Sequence, residues 1–268
     1  APSSAPKAVV LALHGCTQSA SDYVSTGWNE VGDREGLVIV YGEQTTTNNS
    51  TKCFRWWDAS QIAAGGGEAE SLANMVRAAR EKYGVTRSFV TGLSAGGAMT
   101  TVMLAAYPDL FEAGAIMAGL PYKCATSQID AYTCMSGRSR SADEWAALVP
   151  KASGAAAPRV SVWQGDADYT VRPSNRDEIV KQWTKVNGLD DKPSESTKEG
   201  PAEHDTYRDT NGTVRVESWT IAKMGHGVAL DPKSGCGKAG AYELDVGLCS
   251  TTHAAAFFLG KLSGGAPS

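Results

Sequence analysis

A single serine set among small residues constrains the fold of this chain more than any other feature. Residues 92–96 read Gly-Leu-Ser-Ala-Gly and fit the pattern G-x-S-x-G. The apolar run before them predicts a strand, and the run from Ala95 onward predicts a helix. A serine at such a sharp turn has a strained backbone, and the residues two positions away must be small. A serine N-cap or a glycine-rich turn also fits these five residues. The predicted strand before Ser94 and the predicted helix after it favour the strained turn over those two alternatives.

Predicted strands and helices alternate along the chain. The predicted strands are Val9–Leu13, Leu37–Tyr41, Arg87–Thr91, Ala113–Ala118, Arg159–Gln164 and Val214–Ile221. The predicted helices are Glu68–Tyr83, Ala95–Tyr107, Arg176–Val186 and Thr252–Leu259. This alternation is typical of an α/β fold with a mostly parallel central sheet and helices on both faces. Because no change in composition marks a boundary, we predict one domain over residues 7–262.

The two ends differ in composition from the rest of the chain. Residues 1–6 (APSSAP) and 263–268 (SGGAPS) are poor in apolar side chains and rich in Pro, Ser, Gly and Ala. We interpret both as flexible tails. A second interpretation of the C-terminal tail is a linker to a further binding module outside this chain.

Charge and composition exclude several kinds of partner. The net charge is −4 without a long run of like charge, so we expect neither nucleic acid nor an anionic membrane surface as a partner. No apolar stretch approaches the roughly 18–20 residues of a membrane span. The four histidines lack the close spacing of a zinc site, and the Gly65–Gly67 run lacks the lysine of a phosphate-binding loop. We expect no metal and no cofactor.

The strand–turn–helix context of the motif predicts that Ser94 is a nucleophile. A serine nucleophile needs a histidine as general base, and in this kind of fold the histidine follows the serine in the chain. His226 lies in a glycine-flanked loop after the last predicted strand, where an imidazole can reach a serine. His253 falls in the final predicted helix, where a surface or packing role is expected, and His204 falls in a polar stretch, where we expect it to be solvated. The sequence therefore predicts His226 as the base.

Two aspartates compete for the role of the acid that orients this histidine. Asp166 and Asp168 both follow the predicted strand Arg159–Gln164. The usual geometry places the acid several residues past the strand end, ahead of an apolar residue, which favours Asp168. Asp166 would then shape the turn, an ordinary role of aspartate in loops.

The negative charge that develops on a carbonyl oxygen when a serine attacks it needs two backbone N–H donors. One is normally the residue after the serine, here Ala95, and the other comes from the loop after an early strand. Residues 13–17 (LHGCT) occupy that place, and the N–H of Cys16 is the candidate donor, with Thr17 second. His14 would brace the loop.

These residues belong to a longer series of segments. The series is LHGCTQSASDY (13–23), CFRWWD (53–58), GGGEAESLANMV (65–76), GLSAGGAMTTVMLAAYPDLF (92–111), AGLPYKCA (118–125), VWQGDADYTV (162–171), MGHG (224–227) and GCGKAGAYELDVGLCS (235–250). It resembles the poly(3-hydroxybutyrate) depolymerase family of esterases, which also contains feruloyl and acetylxylan esterases, over nearly the whole chain. The resemblance implies an α/β-hydrolase fold. It also implies a catalytic triad of Ser94, Asp168 and His226 and an oxyanion hole at Cys16 and Ala95.

The family is largely secreted, which implies an extracellular protein and favours disulfides among the six cysteines. Proximity in the sequence favours two short loops and leaves the remaining two cysteines for each other. The predicted pairs are Cys124–Cys134, Cys236–Cys249 and Cys16–Cys53. The last pair would hold residues 13–17, the predicted oxyanion loop, against the aromatic segment 54–57. The alternative is that one or more cysteines are buried free thiols.

Aromatic side chains near the motif loops are candidates for binding the substrate. They are Trp56, Trp57, Tyr122 and Tyr169. A tryptophan more often packs in a core, and we assign Trp163, within a predicted strand, to the core. An aromatic rim fits a hydrophobic polyester and equally a feruloyl group. Because AGLPYKCA and the C-terminal cysteine segment look most like the depolymerases, we expect a secreted polyester depolymerase; the alternatives are a feruloyl or acetylxylan esterase and a non-catalytic binding protein.

Overall fold

The computed structural model describes residues 2, 5–151 and 156–261. The predicted C-terminal tail 263–268, and residues 1, 3 and 4 of the predicted N-terminal tail, lie outside the described residues. Among the helices of the described ranges, none is long and apolar enough to cross a membrane.

Eight strands form one sheet at the centre of the molecule. In chain order they are β1 Ala8–Leu13, β2 Leu37–Gly42, β3 Arg87–Leu93, β4 Ala113–Met117, β5 Arg159–Gly165, β6 Glu195–Glu199, β7 Ala202–Arg208 and β8 Val214–Ile221. Their order in the sheet is β2-β1-β3-β4-β5-β8-β7-β6. From β2 to β8 all neighbours pair in parallel, and β7 and β6 add antiparallel strands at one edge. A small second sheet pairs β9 (Val228–Leu230) with β10 (Glu243–Asp245).

Helices cover both faces of the large sheet. They are α1 Ala20–Tyr23, α2 Trp28–Glu35, α3 Ala59–Ile62, α4 Gly67–Tyr83, α5 Ala95–Ala106, α6 Gln128–Met135, α7 Ala142–Ala147, α8 Ser174–Val186 and α9 Ser250–Leu259. Helices α4, α5 and α8 pack on one face, and α2 and α9 pack on the other. The prediction of a mostly parallel α/β sheet with helices on both sides is confirmed.

Strand β1 shows why both faces can be covered. Val9, Leu11 and Leu13 join the apolar cluster on the side of α4 and α5, while Ala8, Val10 and Ala12 join the cluster on the side of α2 and α9. Successive side chains of a strand point to opposite faces, so a strand that is apolar at every position must be buried on both. This is the burial that a central parallel strand requires.

The antiparallel edge was not predicted, and the expectation that His204 is solvated is wrong. His204 lies on β7, and its ring stacks on Trp219 of β8 with 3.7 Å between ring centroids. Its Nε2 is 2.9 Å from Oε2 of the buried Glu217. Because β7 pairs with β8, alternate polar side chains of this stretch face the interior.

Candidate active site

Ser94 lies at the turn from β3 into α5, as the motif predicts. Its φ is 57° and its ψ is −115°, a conformation that residues other than glycine rarely adopt. The surrounding backbone holds it there, since its N–H donates to Met117 O at 2.9 Å and its carbonyl accepts from Ala98 N–H at 2.8 Å. Its side chain therefore projects from the end of the strand at a helix N-terminus, where partial positive charge favours an anion.

The glycines two positions before and after the serine lie where strand and helix touch. A Cβ on Gly92 would be 2.4 Å from Gly96 O, and a Cβ on Gly96 would be 2.3 Å from Leu13 O. All of these neighbours are backbone atoms, so a side chain cannot be accommodated by a rotamer change. Only glycine allows β1, β3 and α5 to approach this closely.

We expect Gly96→Ala to lower the free energy of unfolding by roughly 3 kcal/mol, because overpacking against backbone forces the elements apart. The matched control is Gly225→Ala, since nothing lies within 4 Å of a Cβ at that position. The control should stay within about 0.5 kcal/mol of the parent chain. Chemical denaturation measures both, and equal stability of the two variants would contradict the steric explanation.

The structure brings His226 and Asp168 together. His226 Nδ1 lies 2.7 Å from Asp168 Oδ2. The other carboxylate oxygen, Oδ1, accepts the N–H groups of Thr170 at 2.8 Å and Val171 at 2.9 Å. Gln164 Nε2 donates to Oδ2 at 2.9 Å. Asp168 is buried and fully hydrogen-bonded, and its position is therefore fixed.

These contacts determine which form the pair takes. Burial opposes ionisation of Asp168, but the hydrogen bond from His226 and those from Val171 and Thr170 outweigh it and lower the pKa of the carboxyl. An ionised carboxylate only accepts hydrogen bonds, so His226 Nδ1 carries a proton, and in the neutral ring the lone pair is on Nε2. The imidazole is thus held in the tautomer that a general base needs.

The structure gives Asp166 a different place. Its Oδ1 accepts the N–H of Lys223 at 2.6 Å, and the next residue, Ala167, donates to Met224 O at 3.0 Å. Asp166 thus ties the turn after β5 to the segment that leads into His226. Of the two competing aspartates, Asp168 is the one that contacts the histidine.

The predicted oxyanion donors lie beside Ser94. Cys16, Ala95, Ser94 and His226 line one cavity of about 300 Å³. Within the described residues, neither Cys16 N–H nor Ala95 N–H donates a hydrogen bond to the protein, whereas Thr17 N–H donates to Thr51 O at 2.7 Å. The N–H groups of Cys16 and Ala95 are therefore available to a ligand. The N–H of Thr17, the second candidate, is already used.

His14 braces the oxyanion loop. Its Nδ1 donates to Gly15 O at 2.7 Å, and its Nε2 accepts the N–H of Gln44 at 3.0 Å. Burial lowers the pKa of His14, which favours the neutral ring that this pair of contacts requires. His14 therefore serves as a link between the loop and the segment after β2.

The Ser94 hydroxyl makes no hydrogen bond to His226 among the described residues. Both residues nevertheless line the same cavity. Hydrogen bonds between a nucleophile and its base are often long without substrate and shorten in the complex. Across the described part of the chain, no cluster of three or more His, Cys, Asp or Glu side chains could hold a metal ion.

The four aromatic candidates for substrate binding divide into two pairs. Trp56 and Trp57 line the cavity and pack edge to face, with ring centroids 5.5 Å apart. Tyr122 does not line the cavity; it is buried in the core, where Gln182 accepts its N–H at 2.8 Å. Tyr169 does not line the cavity either, and 79% of it is exposed. The sequence had no signal for α6, which contributes Tyr132 to the cavity instead.

The six cysteines form the three pairs that proximity suggests, with no free cysteine in the described chain. Cys16–Cys53 joins the oxyanion loop to the segment that carries Trp56 and Trp57. Cys124–Cys134 holds α6 against the loop after β4. Two of the three bridges thus fix walls of the cavity.

We expect the double replacement Cys16→Ser with Cys53→Ser to lower the free energy of unfolding by about 4 kcal/mol, because the bridge closes a long loop in the unfolded chain. The sequence separation of the pair is 37 residues, against 10 for Cys124–Cys134. Replacing the shorter pair is the control and should cost about 3 kcal/mol or less. Denaturant titration compares them, and a larger loss for the shorter loop would contradict the loop-length argument.

Comparison with known proteins shows the family of the chain. The sequence model described as "Esterase PHB depolymerase" matches residues 3–204. The chain is 44% identical over 266 residues to poly(3-hydroxyalkanoate) depolymerase C of Paucimonas lemoignei, covering 96% of this chain and 64% of that protein. It thus spans less than two thirds of the length of that relative.

Two acetylxylan esterases are also similar. The chain is 34% identical over 239 residues to acetylxylan esterase A of Aspergillus oryzae, covering 83% of this chain and 75% of that protein. The solved structure of an acetyl xylan esterase from Aspergillus awamori superposes with a TM-score of 0.73 at 25% identity, covering 84% of this chain and 86% of that one. The chain therefore belongs to the poly(3-hydroxybutyrate) depolymerase family of α/β-hydrolase esterases.

Proposed function

We propose that this chain is a serine carboxylester hydrolase with Ser94 as nucleophile, His226 as general base and Asp168 as the acid that orients the base. One observation carries the proposal: a strained serine, a histidine whose ring is held by an aspartate behind it, and two residues with unused backbone N–H groups line the same cavity. These are the parts that acyl transfer through an acyl-enzyme needs.

The residues would act in two half-reactions. His226 Nε2 takes the proton of the Ser94 hydroxyl as its oxygen attacks the ester carbonyl, and the N–H groups of Cys16 and Ala95 hold the resulting oxyanion. The C–O bond to the alcohol then breaks, and the imidazolium returns its proton to the leaving alkoxide. Water repeats the sequence on the acyl-enzyme and releases the acid. Asp168 stabilises the imidazolium throughout.

We propose a polyester as the substrate. Three of the most exposed large apolar side chains are near the cavity mouth: Tyr132 (65% exposed) lines it, Ile129 (83%) is on the same helix, and Tyr169 (79%) precedes the lining residue Thr170. Exposed apolar side chains beside a cleft fit a hydrophobic, extended ligand. The higher identity to the depolymerase than to the acetylxylan esterases points the same way.

A parallel assay on polyhydroxybutyrate film, acetylated xylan and methyl ferulate tests this substrate. We expect film erosion with release of hydroxyacids, and weaker turnover of the other two. The variant Tyr132→Ser with Tyr169→Ser should lose film erosion while it keeps hydrolysis of a soluble ester. Rapid release of acetate from xylan without film erosion would replace the polyester by acetylxylan.

We also propose that the protein acts outside the cell. Three disulfides in a chain of this size are typical of an oxidising compartment. An enzyme that acts on a polymer would also encounter its substrate outside the cell. Detection of the active, disulfide-bonded protein in the culture medium of the producing cells tests this location.

A further inference from the structure

A hydrogen-bonded link joins the oxyanion loop to the small sheet that follows His226. Gln18 Oε1 accepts the N–H of Gly15 at 2.8 Å, and Gln18 Nε2 donates to Glu243 Oε1 at 3.0 Å. Glu243 Oε2 accepts the N–H of Tyr242 at 3.2 Å. Gln18 is 6% exposed and Glu243 is 5% exposed, so the link is buried. It connects residues that are 225 positions apart in the chain.

Glu243 is an unusual residue to bury. Among the described residues, no lysine, arginine or histidine forms an ion pair with its carboxylate, and its hydrogen bonds to Gln18 and Tyr242 are what offset the loss of water. Burial raises the pKa of this carboxyl, because the ionised form loses more than the neutral form when water is removed. An uncompensated buried carboxylate is strongly unfavourable, so the orientation of Gln18 is firmly coupled to Glu243.

Gln18 acts on the part of the loop that faces the nucleophile. A Cβ on Gly15 would lie 3.5 Å from Ser94 Cβ, so the loop passes directly beside the serine. The direction of the Cys16 N–H depends on the peptide between Gly15 and Cys16. Gln18 contacts both sides of Gly15: its side chain accepts the Gly15 N–H, and its backbone N–H donates at 3.3 Å to Gly15 O, an atom of that peptide.

The other end of the link reaches the segment of His226. Strand β9 begins at Val228, and Val228 N–H donates to Tyr242 O at 2.7 Å, next to Glu243 on β10. A shift of β10 would therefore move both the loop after His226 and, through Gln18, the oxyanion loop. The two halves of the catalytic apparatus are joined by one pair of side chains.

We propose that Gln18 and Glu243 are positioning residues that hold the Cys16 N–H in the direction of the oxyanion and in register with His226. This inference rests on the proposed esterase function. Gln18 also lines the cavity, but the role assigned to the pair is indirect: it acts through the contacts of Gln18 with Gly15 and through β10.

Kinetics of Gln18→Met, Glu243→Met and the double variant on 4-nitrophenyl butyrate test the pair, together with inhibition by a phenylboronic acid. A boronic acid forms a tetrahedral adduct with the serine and so reports on the oxyanion hole. We expect each single variant to lower kcat on the order of 10-fold and to weaken boronate inhibition by a similar factor, with KM within about twofold, because only the transition state loses a contact. The double variant should be no worse than Gln18→Met alone, since the two act as one unit.

The matched control is Asp245→Asn, an exposed carboxylate on the same strand β10, which should behave as the parent chain. Thermal melting identifies variants that do not fold. If Gln18→Met does not fold, Gln18→Asn replaces it, because asparagine keeps the amide but is too short to reach both Gly15 and Glu243. Unchanged kcat and boronate affinity, or losses that multiply in the double variant, would overturn the inference. Failure of the parent chain to hydrolyse any ester would instead refute the proposed function.

Discussion

Replacement of Ser94 by alanine is expected to lower kcat on soluble esters by roughly 10⁵–10⁶-fold, because no other group can form the acyl-enzyme. The fold should survive, since Ser94 makes its hydrogen bonds through backbone atoms: its N–H donates to Met117 O and its carbonyl accepts from Ala98 N–H. The measurement is steady-state hydrolysis of 4-nitrophenyl butyrate, with the melting temperature as the check on folding.

A nearby hydroxyl provides the control for Ser94. Thr17 also lines the cavity, and its hydroxyl donates to the carbonyl of Cys16 rather than to any group of the proton relay. We expect Thr17→Val to stay within about tenfold of the parent kcat, far above Ser94→Ala. A Ser94→Ala variant that retains a tenth of the parent activity would show that a different nucleophile does the chemistry.

Replacement of Asp168 by asparagine is expected to cost about 10⁴-fold in kcat, because an amide can donate to Nδ1 and so hold His226 in the wrong tautomer. The carboxylate oxygens accept four hydrogen bonds, from His226, Gln164, Thr170 and Val171. The change keeps the shape of the side chain, so the loss should fall on kcat with a smaller effect on KM.

Asp166→Asn is the matched control on the same turn. Asparagine can still accept the Lys223 N–H through its Oδ1, and Asp166 has no contact with His226. Its kcat should remain within about tenfold of the parent value. Equal losses at both positions would mean that the turn as a whole, rather than the Asp168–His226 pair, is what the reaction needs.

The sequence was sufficient for the elements whose signal is local. The glycines around Ser94 predict the turn between β3 and α5 because steric demands at that point are confined to a few neighbouring residues. The order of serine, acid and histidine then narrows the search to a few loops. The choice of Asp168 over Asp166 from the sequence relied on its distance from the strand end, and Asp168 is the one of the two that contacts His226.

What the sequence could not give depends on pairing between distant segments. Gln18 and Glu243 look like ordinary surface residues until β10 is placed beside the oxyanion loop. Tyr122 follows β4 like a loop residue, but α8 covers it and supplies Gln182 to its backbone. Helix α6, whose Tyr132 reaches the cavity, has too weak an apolar period to be recognised in advance.

The most direct test of the account is to label the native protein with a fluorophosphonate and to map the modified peptide by mass spectrometry. We expect one adduct per chain, on Ser94, with much slower labelling of Asp168→Asn because the histidine no longer activates the serine. An active enzyme whose adduct forms at another residue, or that hydrolyses esters while Ser94 stays unmodified, would contradict it.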